Sequence, residues 1–520
     1  METRALAEDP PVTGRARTLA VDLAYLAAGM LAPLAFAPWD WYALAWVLLI
    51  PLFLATEIPA SGVRFRRGLA FGLGMFGAGL HWLLPTIHTF GHMPLALAVP
   101  TWALLVAYCA LYPALFALAG GWLGGGWLGG PRPWRMALGL PLLWVALEGL
   151  RGLAFTGFPW LTLGVTQTQG PLAGLFPVVG SLGAGLAVAC VNGALLLAYL
   201  ARDRGILLPL AWLGGAAAVV GAGLLAATPT WTSPSGSPLR AALVQGAVPQ
   251  EMKWSAERRA AILERYRRLT LANLDADLVV WPETAVPLFA DRVGDYLDAL
   301  ERTVAARGGT LLLGVPERDW EDGERRNYNA AMALGAGDQQ PYRKRHLVPF
   351  GEYVPLPSLL FFAERFVPGE GVFAAGESAA PLEVDGHRAG MSICYEDAFP
   401  REVAATVREG ADLLVNVTND AWFGGSIGPD QHAQLARVRA MEMGRPLLRV
   451  ANTGITYAAD HRGRVLERIP RDEPGVARAT VQPRIGATPY QWLSRGWLLG
   501  GVLAGLGLFV LLARRRGRLV

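Results

Sequence analysis

The hydrophobic pattern divides the 520-residue chain into a part with long apolar runs and a part with short ones. An apolar run of about 17 to 25 residues is long enough to cross the hydrocarbon layer of a bilayer as a helix. Such runs lie at 18–37, 41–57, 66–86, 93–119, 135–153, 172–201, 206–227 and 497–513. The pattern therefore predicts an integral membrane α-helical bundle of eight transmembrane helices.

The segment between the seventh and eighth runs has a different pattern, in which short β-rich strands alternate with helical stretches. The predicted strands are Ala241–Gln245, Leu278–Trp281, Thr310–Val315, Gly390–Cys394, Leu413–Thr418 and Leu447–Ala451. The predicted helices include Ala256–Leu274, Val293–Ala306 and Gln431–Met443. Strands that alternate with helices predict an α/β domain whose sheets are covered by helices.

The distribution of charge supports this division. Residues 18–230 carry 13 charged side chains, whereas residues 231–496 carry 65 and have a net charge of −3. A nucleic-acid-binding protein concentrates basic charge on its folded soluble part, so we expect no nucleic-acid partner. The predicted organisation is a leader (1–17), a seven-helix bundle (18–230, hereafter the membrane half), an α/β domain (231–496, hereafter the catalytic domain), an eighth helix (497–513) and a basic tail (514–520).

The loop arginines predict the orientation, because cytoplasmic loops are enriched in Lys and Arg. Basic residues flank alternate runs, at Arg15, Arg17, Arg64, Arg66, Arg67, Arg132, Arg135, Arg202, Arg204, Arg514, Arg515, Arg516 and Arg518. Both termini are therefore expected in the cytoplasm and the catalytic domain on the outer face. A cleavable signal peptide is the alternative for the first run, but the run is longer than usual and Pro38 follows directly.

Two ionisable residues, Glu148 and Arg151, lie three positions apart in the fifth apolar run. Ionisable groups inside membranes are costly and are often functional. One interpretation is a contact with a lipid headgroup near the outer surface. The other is a structural ion pair that ties helices together.

The cysteines and histidines restrict the chemistry of the catalytic domain. Cys394 is its only cysteine, since Cys109 and Cys190 fall inside apolar runs. A lone thiol is either an inert core residue or a nucleophile. His88 and His92 have a metal-ligand spacing but no third ligand nearby, so we expect no metal site.

The composition also draws attention to the lysines, because the chain has 44 arginines and only Lys253 and Lys344. A retained lysine indicates chemistry for which Arg is unsuited, although chance retention in a basic run is the alternative for Lys344. Glu283 and Cys394 each lie at the end of a predicted strand, where α/β folds gather their active sites. Together an acid, an amine and a thiol form a possible acyl-transfer site. The alternatives are a helix-capping acid and a buried thiol.

Longer motifs surround these residues. They are VQG from Val244, PQ from Pro249, KW from Lys253, WPETAVP from Trp281, YRKRHLVPFGEYVP from Tyr342, SICYED from Ser392, NDAWFG from Asn419 and GRPLLRVANTGIT from Gly444. These motifs resemble those of the nitrilase superfamily. The chain as a whole resembles the bacterial apolipoprotein N-acyltransferase family.

The resemblance implies a nitrilase-like αββα sandwich and a role for each matching residue. Glu283 would be the general base, Lys344 the oxyanion-stabilising lysine and Cys394 the nucleophile. Glu352 would organise the site. Supporting or substrate-contacting positions would be Trp254, Asn329, Tyr395, Glu396 and Trp422. The alternatives are a surface carboxylate for Glu396 and core packing for the tryptophans.

The resemblance further implies a reaction without a cofactor, in the inner membrane with the catalytic domain in the periplasm. A phospholipid would donate an acyl chain to a diacylated apolipoprotein through a thioester on a monomeric enzyme. We expect the apolar segment 356–367 to form a lid or membrane-dipping arm, or else a core helix. A membrane-tethered amidase and a transporter with a non-catalytic sensor domain are the rival functions.

Overall fold

The computed structural model describes residues 12–124, 132–321, 323–335, 337, 339–355, 358, 372–493 and 496–517. The proposed arm at 356–367 lies outside these residues except for position 358. The helices of the membrane half are α1 (Val12–Met30), α2 (Ala45–Leu48), α3 (Ile50–Ala55), α4 (Ser61–Gly79), α5 (Leu83–Pro85), α6 (Leu95–Gly124), α7 (Arg132–Trp134), α8 (Leu140–Arg151), α9 (Phe176–Leu200) and α10 (Leu207–Ala226). In the catalytic domain and after it follow α11 (Gln250–Lys253), α12 (Ala256–Leu271), α13 (Gly294–Ala305), α14 (Pro400–Arg408), α15 (Gly428–Met443), α16 (Pro489–Leu493) and α17 (Trp497–Gly517).

Within the described residues, four helices are long and apolar enough to cross a membrane. They cover Ala16–Ala35, Leu95–Leu123, Ala173–Leu200 and Leu207–Ala226. The apolar helices at Tyr42–Ala55 and Trp497–Leu512 are shorter. A helical membrane half is thus confirmed, whereas the count of eight spans stays a prediction.

The predicted span 66–86 is not one straight helix. Ser61–Gly79 and Leu83–Phe90 meet at an angle of 64°, and counting this bent pair as one span raises the number of candidate spans to five. Pro85 contributes to the break, because it has no N–H to donate to the carbonyl group of His81. The bend directs the second piece toward the catalytic domain, where Thr86 donates a hydrogen bond to the carbonyl oxygen of Trp422 at 2.9 Å.

The catalytic domain contains two six-stranded sheets. The strands are β1 (Ser233–Pro234), β2 (Leu239–Gln245), β3 (Leu278–Val280), β4 (Thr310–Glu321), β5 (Glu324–Leu334), β6 (Tyr342–Arg343), β7 (Leu382–Val384), β8 (His387–Ile393), β9 (Leu413–Thr418), β10 (Leu447–Ala451), β11 (Thr456–Ala459), β12 (Val465–Ile469), β13 (Gly475–Val481) and β14 (Arg484–Ile485). The base sheet has the order β13-β2-β3-β4-β5-β6, and the nucleophile sheet has the order β12-β11-β10-β9-β8-β7. Three parallel strands lie at the centre of each sheet, β2-β3-β4 and β8-β9-β10.

The two sheets pack face to face because successive side chains of a strand point to opposite faces and both faces of the central strands are apolar. Leu243, Val280 and Leu312 of the base sheet share a core with Ile393 and Val415 of the nucleophile sheet. The outer face of the base sheet packs on α12 and α13. The outer face of the nucleophile sheet packs on α14 and α15. The predicted αββα sandwich is therefore confirmed.

The nucleophile sheet is also the sheet that faces the membrane half. Leu435, Val438 and Met441 of α15 belong to the same apolar core as the helices of the membrane half. A polar contact reinforces this core, since the backbone N–H of Ser181 donates to Oε1 of Glu442 at 2.7 Å. Helix α15 therefore lies between the nucleophile sheet and the membrane half.

Candidate active site

The candidate site lies where parallel strands of the two sheets end. Glu283 follows β3, Cys394 directly follows β8, and Asn419 directly follows β9. The backbone N–H of Asn419 donates to Oε2 of Glu283 at 2.8 Å. This bond joins the base sheet to the nucleophile sheet at the point where the acid and the thiol approach each other.

Cys394 has an unusual backbone conformation. Its φ is +52°, in the left-handed region that residues with a Cβ seldom adopt. It starts a short 3₁₀ turn, Cys394–Ala398, and its carbonyl oxygen lies 3.2 Å from Nε2 of His432. A strained backbone at a strand end is a common feature of reactive residues, because the surrounding structure must hold it in place.

Lys344 is buried in a network of carboxylates and an amide. Its Nζ donates to Oε1 of Glu352 at 2.9 Å and lies 3.9 Å from Oε1 of Glu283. Nδ2 of Asn329 donates to both carboxylates, to Glu283 at 2.7 Å and to Glu352 at 2.9 Å. Asn329 therefore sets the separation of the two acids, and Lys344 supplies their counter-charge.

The electrostatics of the site keep the thiol protonated and the lysine charged. Burial raises the pKa of Cys394 well above its ordinary value, the charge of Glu283 raises it further, and Lys344 opposes both. Burial alone would lower the pKa of Lys344, but the carboxylates of Glu352 and Glu283 outweigh it and raise that pKa. The thiol consequently needs a base to become a nucleophile, and Glu283 is the adjacent carboxylate.

Glu396 connects the loop that carries Lys344 to the strand that carries Cys394. Its carboxylate accepts hydrogen bonds from the backbone N–H groups of Arg345, His346 and Ile393. It also accepts the hydroxyl of Tyr342, at 3.0 and 2.9 Å. The side chain is 0% exposed, so the surface-carboxylate alternative is wrong.

Comparisons with known proteins were made for the whole chain. A family model described as "Carbon-nitrogen hydrolase" matches residues 240–490, and one described as "Apolipoprotein N-acyltransferase N-terminal domain" matches residues 28–194. The apolipoprotein N-acyltransferase of Methylococcus capsulatus is 41% identical over 495 residues, which cover 94% of this chain and 95% of that protein. The protein of that name from Photobacterium profundum is 38% identical over 504 residues, 94% of each chain. This chain belongs to the apolipoprotein N-acyltransferase family.

Among solved structures, a partial likeness is found. A mutant of Nesterenkonia AN1 amidase from the nitrilase superfamily aligns with a TM-score of 0.36 and 21% identity, and the match covers 51% of this chain and 98% of that one. Family membership, together with the apolar helices, indicates an inner-membrane N-acyltransferase of the carbon-nitrogen hydrolase superfamily.

The remaining residues singled out in the sequence lie around this centre. The ring of Tyr395 stacks on that of Trp160 with centroids 6.4 Å apart, and its hydroxyl donates to the carbonyl oxygen of Gly157 at 3.2 Å. Trp422 is half-buried, and its ring lies edge-on to that of Phe90 at 6.2 Å. Tyr395 and Trp422 thus face the membrane half. Trp254 is half-buried directly after α11.

Sequence reasoning assigned no role to three groups that surround the acid and the thiol. Nζ of Lys253 donates to the backbone carbonyl oxygen of Glu283 at 3.1 Å, and burial lowers the pKa of Lys253 to about 8 against the charges of Glu283 and Cys394. The scarcity of lysine had already singled out this residue. Asn419 opens the NDAWFG motif, but the contacts of its backbone N–H and of the His432 imidazole had no signal because their partners are distant in sequence.

Proposed function

We propose that the protein transfers an acyl chain from a phospholipid to the α-amino group of the diacylglyceryl-modified N-terminal cysteine of an apolipoprotein. The observation that carries this proposal is the position of the Cys394 thiol beside Glu283 and Lys344, whose Oε1 and Nζ lie 3.9 Å apart. An acid, a thiol and a fixed positive charge are the groups that acyl transfer through a thioester requires. Glu283, Lys344 and Cys394 are the proposed catalytic residues.

In the first half-reaction Glu283 takes the proton from Sγ of Cys394 while the sulfur attacks the ester carbonyl carbon of the phospholipid. The ammonium of Lys344 stabilises the negative charge that develops on the carbonyl oxygen. The ester C–O bond then breaks, and Glu283 returns the proton to the leaving alkoxide. The products are a lysophospholipid and an S-acyl thioester on Cys394.

In the second half-reaction the neutral α-amino group of the apolipoprotein attacks the thioester carbon. Glu283 accepts a proton from the amine nitrogen, the C–S bond breaks, and the proton passes to Sγ of Cys394. An N-acylated, triacylated lipoprotein leaves, and the enzyme returns to its starting state. The two half-reactions share one site, so the kinetics should be ping-pong.

The architecture supports a lipid substrate. Removing an acyl chain from apolar surroundings costs about 0.8 kcal/mol per CH₂, which favours a site on the membrane over one in water. We place the catalytic domain in the periplasm, with eight spans, both termini in the cytoplasm and a monomeric enzyme. Phospholipid and apolipoprotein would then reach the site from the outer leaflet.

Two features of the protein interior, the packing of α15 and the burial of Glu283 and Lys344, count against the two rival functions. An amidase on a tether needs no shared core with its anchor, yet α15 packs into the core of the membrane half. A transporter with an inactive sensor domain needs no paired acid and lysine at the thiol, yet Glu283 and Lys344 are both buried beside Cys394. Both observations favour a working acyltransferase over either rival.

The test is to incubate the purified full-length protein in detergent with phospholipid labelled in its acyl chain, and then to examine Cys394 by mass spectrometry. We expect a hydroxylamine-labile acyl group on Cys394 and none on the Cys394→Ala variant. Addition of a diacylated lipopeptide should move the label to the peptide amine. Label that persists in Cys394→Ala, or that passes only to water, would overturn the proposal.

A further inference from the structure

Two buried ionisable side chains on α8, Glu148 and Arg151, have no part in the reaction described above. Glu148 is 5% exposed and Arg151 is 1% exposed. Both side chains bind the backbone of the loop at 158–163, while the headgroup contact and the ion pair between helices stay predictions. Buried charge of this kind is costly, and its retention calls for a function.

The two side chains hold this loop at both of its ends. Nη1 of Arg151 donates to the carbonyl oxygens of Phe158 at 2.7 Å and Trp160 at 2.6 Å. Oε1 of Glu148 accepts the backbone N–H of Leu163 at 2.8 Å. Hydrogen bonds from a charged donor such as Arg151 are stronger than neutral ones, and together the three bonds fix the loop to α8.

The fixed loop places Trp160 against the catalytic domain. Its indole Nε1 donates to Oε1 of Gln431 at 2.7 Å. Its ring lies 5.7 Å from that of His432, and Trp82 from another segment of the membrane half donates to the same Oε1 of Gln431 at 3.2 Å. The membrane half therefore contacts α15 at two consecutive residues.

His432 in turn contacts the backbone of the nucleophile. Its Nδ1 lies 2.8 Å from Oδ1 of Asp420, and its Nε2 lies 3.0 Å from Oδ1 of Asp397 and 3.2 Å from the carbonyl oxygen of Cys394. Arg449 binds the second oxygen of each aspartate, at 2.8 and 3.0 Å. This buried cluster holds the carbonyl group of a residue whose φ of +52° needs external support.

We propose that Glu148 and Arg151 are positioning residues for the nucleophile: they fix Trp160 over Gln431 and His432, and His432 fixes the backbone of Cys394 for attack. The inference rests on the proposed function for the reaction, and it adds that the membrane half is part of the catalytic apparatus. Misplacing a reacting group by about 1 Å can cost about a hundredfold in rate. Loss of the loop contacts should therefore slow the attack rather than weaken phospholipid binding.

The experiment measures thioester formation in a single turnover with the full-length protein in detergent and labelled phospholipid. Arg151→Met should lower the maximal rate by about tenfold to a hundredfold, while the phospholipid concentration at half-maximal rate stays unchanged. Arg151→Lys keeps a cationic donor and should restore part of the rate.

The matched control is Arg64→Met. Arg64 is also a buried arginine of the membrane half, 7% exposed, and its Nη1 also donates to two backbone carbonyl oxygens, those of Ile58 and Pro59. Its loop is distant in sequence from the segment that carries Trp160. A purely structural role predicts equal losses for Arg151→Met and Arg64→Met, whereas positioning predicts a loss for Arg151→Met alone.

A second pair of variants keeps the test decisive if Arg151→Met does not fold. Glu148→Gln retains an oxygen that accepts the N–H of Leu163 and should slow the reaction less than Glu148→Leu, which should be as slow as Arg151→Met. Wild-type rates for Arg151→Met or Glu148→Leu, or equal slowing by Arg64→Met, would overturn the inference and leave the proposed function intact. Failure of the wild-type enzyme to form a thioester would instead overturn the proposed function.

Discussion

The two sheets of the catalytic domain have similar strand orders but very different outer layers. Helix α12 covers the base sheet, and of its 16 residues only Ile262, Tyr266 and Thr270 are buried. Helix α15 covers the nucleophile sheet, and 14 of its 16 residues are buried. One helix faces solvent on its outer side, whereas the other is enclosed between the nucleophile sheet and the membrane half.

Because of this difference, the proposed catalytic groups are held in place by different parts of the molecule. Glu283 and Lys344 belong to the sheet with a solvent-facing outer layer, and they are held by short-range bonds with Asn329 and Glu352. Cys394 belongs to the sheet whose outer layer is packed on the membrane half. The thiol should therefore respond most to changes in the membrane half and the lysine least, with Glu283 between them because it also accepts the backbone N–H of Asn419 from the nucleophile sheet.

The largest expected effect on the rate of thioester formation comes from replacing Glu283, which lies on the base sheet. Glu283→Gln removes the carboxylate that takes the thiol proton in the proposed mechanism, and burial raises the pKa of Cys394, so that the thiol ionises poorly without that base. We expect the rate of thioester formation to fall by about 10² to 10⁴. Single-turnover labelling with phospholipid measures it.

Glu301→Gln is the control for that variant. Glu301 lies on α13, on the outer layer of the same sheet, and its Oε1 accepts the backbone N–H of Gly335 at 3.1 Å. Its replacement should leave the rate of thioester formation unchanged. Equal rates for Glu283→Gln and the wild type would refute the assignment of Glu283 as the base.

The next effect concerns the junction between the two sheets. Glu396→Gln replaces one acceptor oxygen by an amide that cannot accept, so at least one of the donors around Glu396 loses its partner at a cost of about 1 to 3 kcal/mol. The loop of Lys344 should shift relative to Cys394, and thioester formation should slow by about tenfold to a hundredfold. Glu402→Gln is the control, because the carboxylate of Glu402 pairs with the side chain of Arg345, at 3.0 Å, on the surface side of the same loop. Equal slowing by Glu402→Gln would contradict the prediction.

A third effect is a pH dependence of stability on the nucleophile side. Burial lowers the pKa of His432, but Asp397 and Asp420 outweigh burial and the opposing Arg449 and raise it to about 9. A folded pKa above the unfolded value of about 6.5 contributes stability that is complete below pH 6.5 and is lost as pH rises through 9. The lost part is on the order of 3 kcal/mol.

Thermal unfolding of the wild type and of His432→Asn between pH 6 and pH 10 tests this effect. The difference in Tm should shrink as the pH rises from 6.5 to beyond 9. His461→Asn is the control, since burial and Arg484 lower the pKa of His461 to about 4 and it does not titrate in this range. A difference in Tm that stays constant with pH would mean that His432 is neutral in the folded protein.

Much of the catalytic domain follows from local patterns in the sequence. The strands Leu413–Thr418 and Leu447–Ala451 were predicted with their exact bounds, because continuous apolar runs mark buried parallel strands. The positions of Glu283 and Cys394 at strand ends followed from the same pattern. A local periodicity does not report which distant residues meet, so the bond between Trp160 and Gln431, 271 positions apart, had no signal.

The membrane half was less predictable for a different reason. Hydropathy measures whether a segment tolerates a bilayer, but not whether its helix runs straight through it. The run at 66–86 reads as one span, yet the structure bends it by 64° between Gly79 and Leu83. The partners of Glu148 and Arg151 were unpredictable for the same reason, since they depend on the fold of the loop after α8.

The smallest effect is expected where α12 faces solvent, and it sharpens the comparison of the two outer layers. Arg267 pairs with Glu264 one turn away, at 2.7 Å, and both side chains are exposed. Such surface pairs contribute little, because water and salt screen them and two long side chains must be ordered. Arg267→Ala should therefore change neither the Tm nor the rate of thioester formation.

Gln434→Ala on α15 should lower the Tm, because buried Gln434 accepts the backbone N–H of Ala37 at 3.2 Å and donates to Asp40 at 2.7 Å. If both substitutions left the Tm unchanged, the contacts of α15 with the membrane half would stabilise the catalytic domain no more than the solvent-exposed ion pair on α12 does.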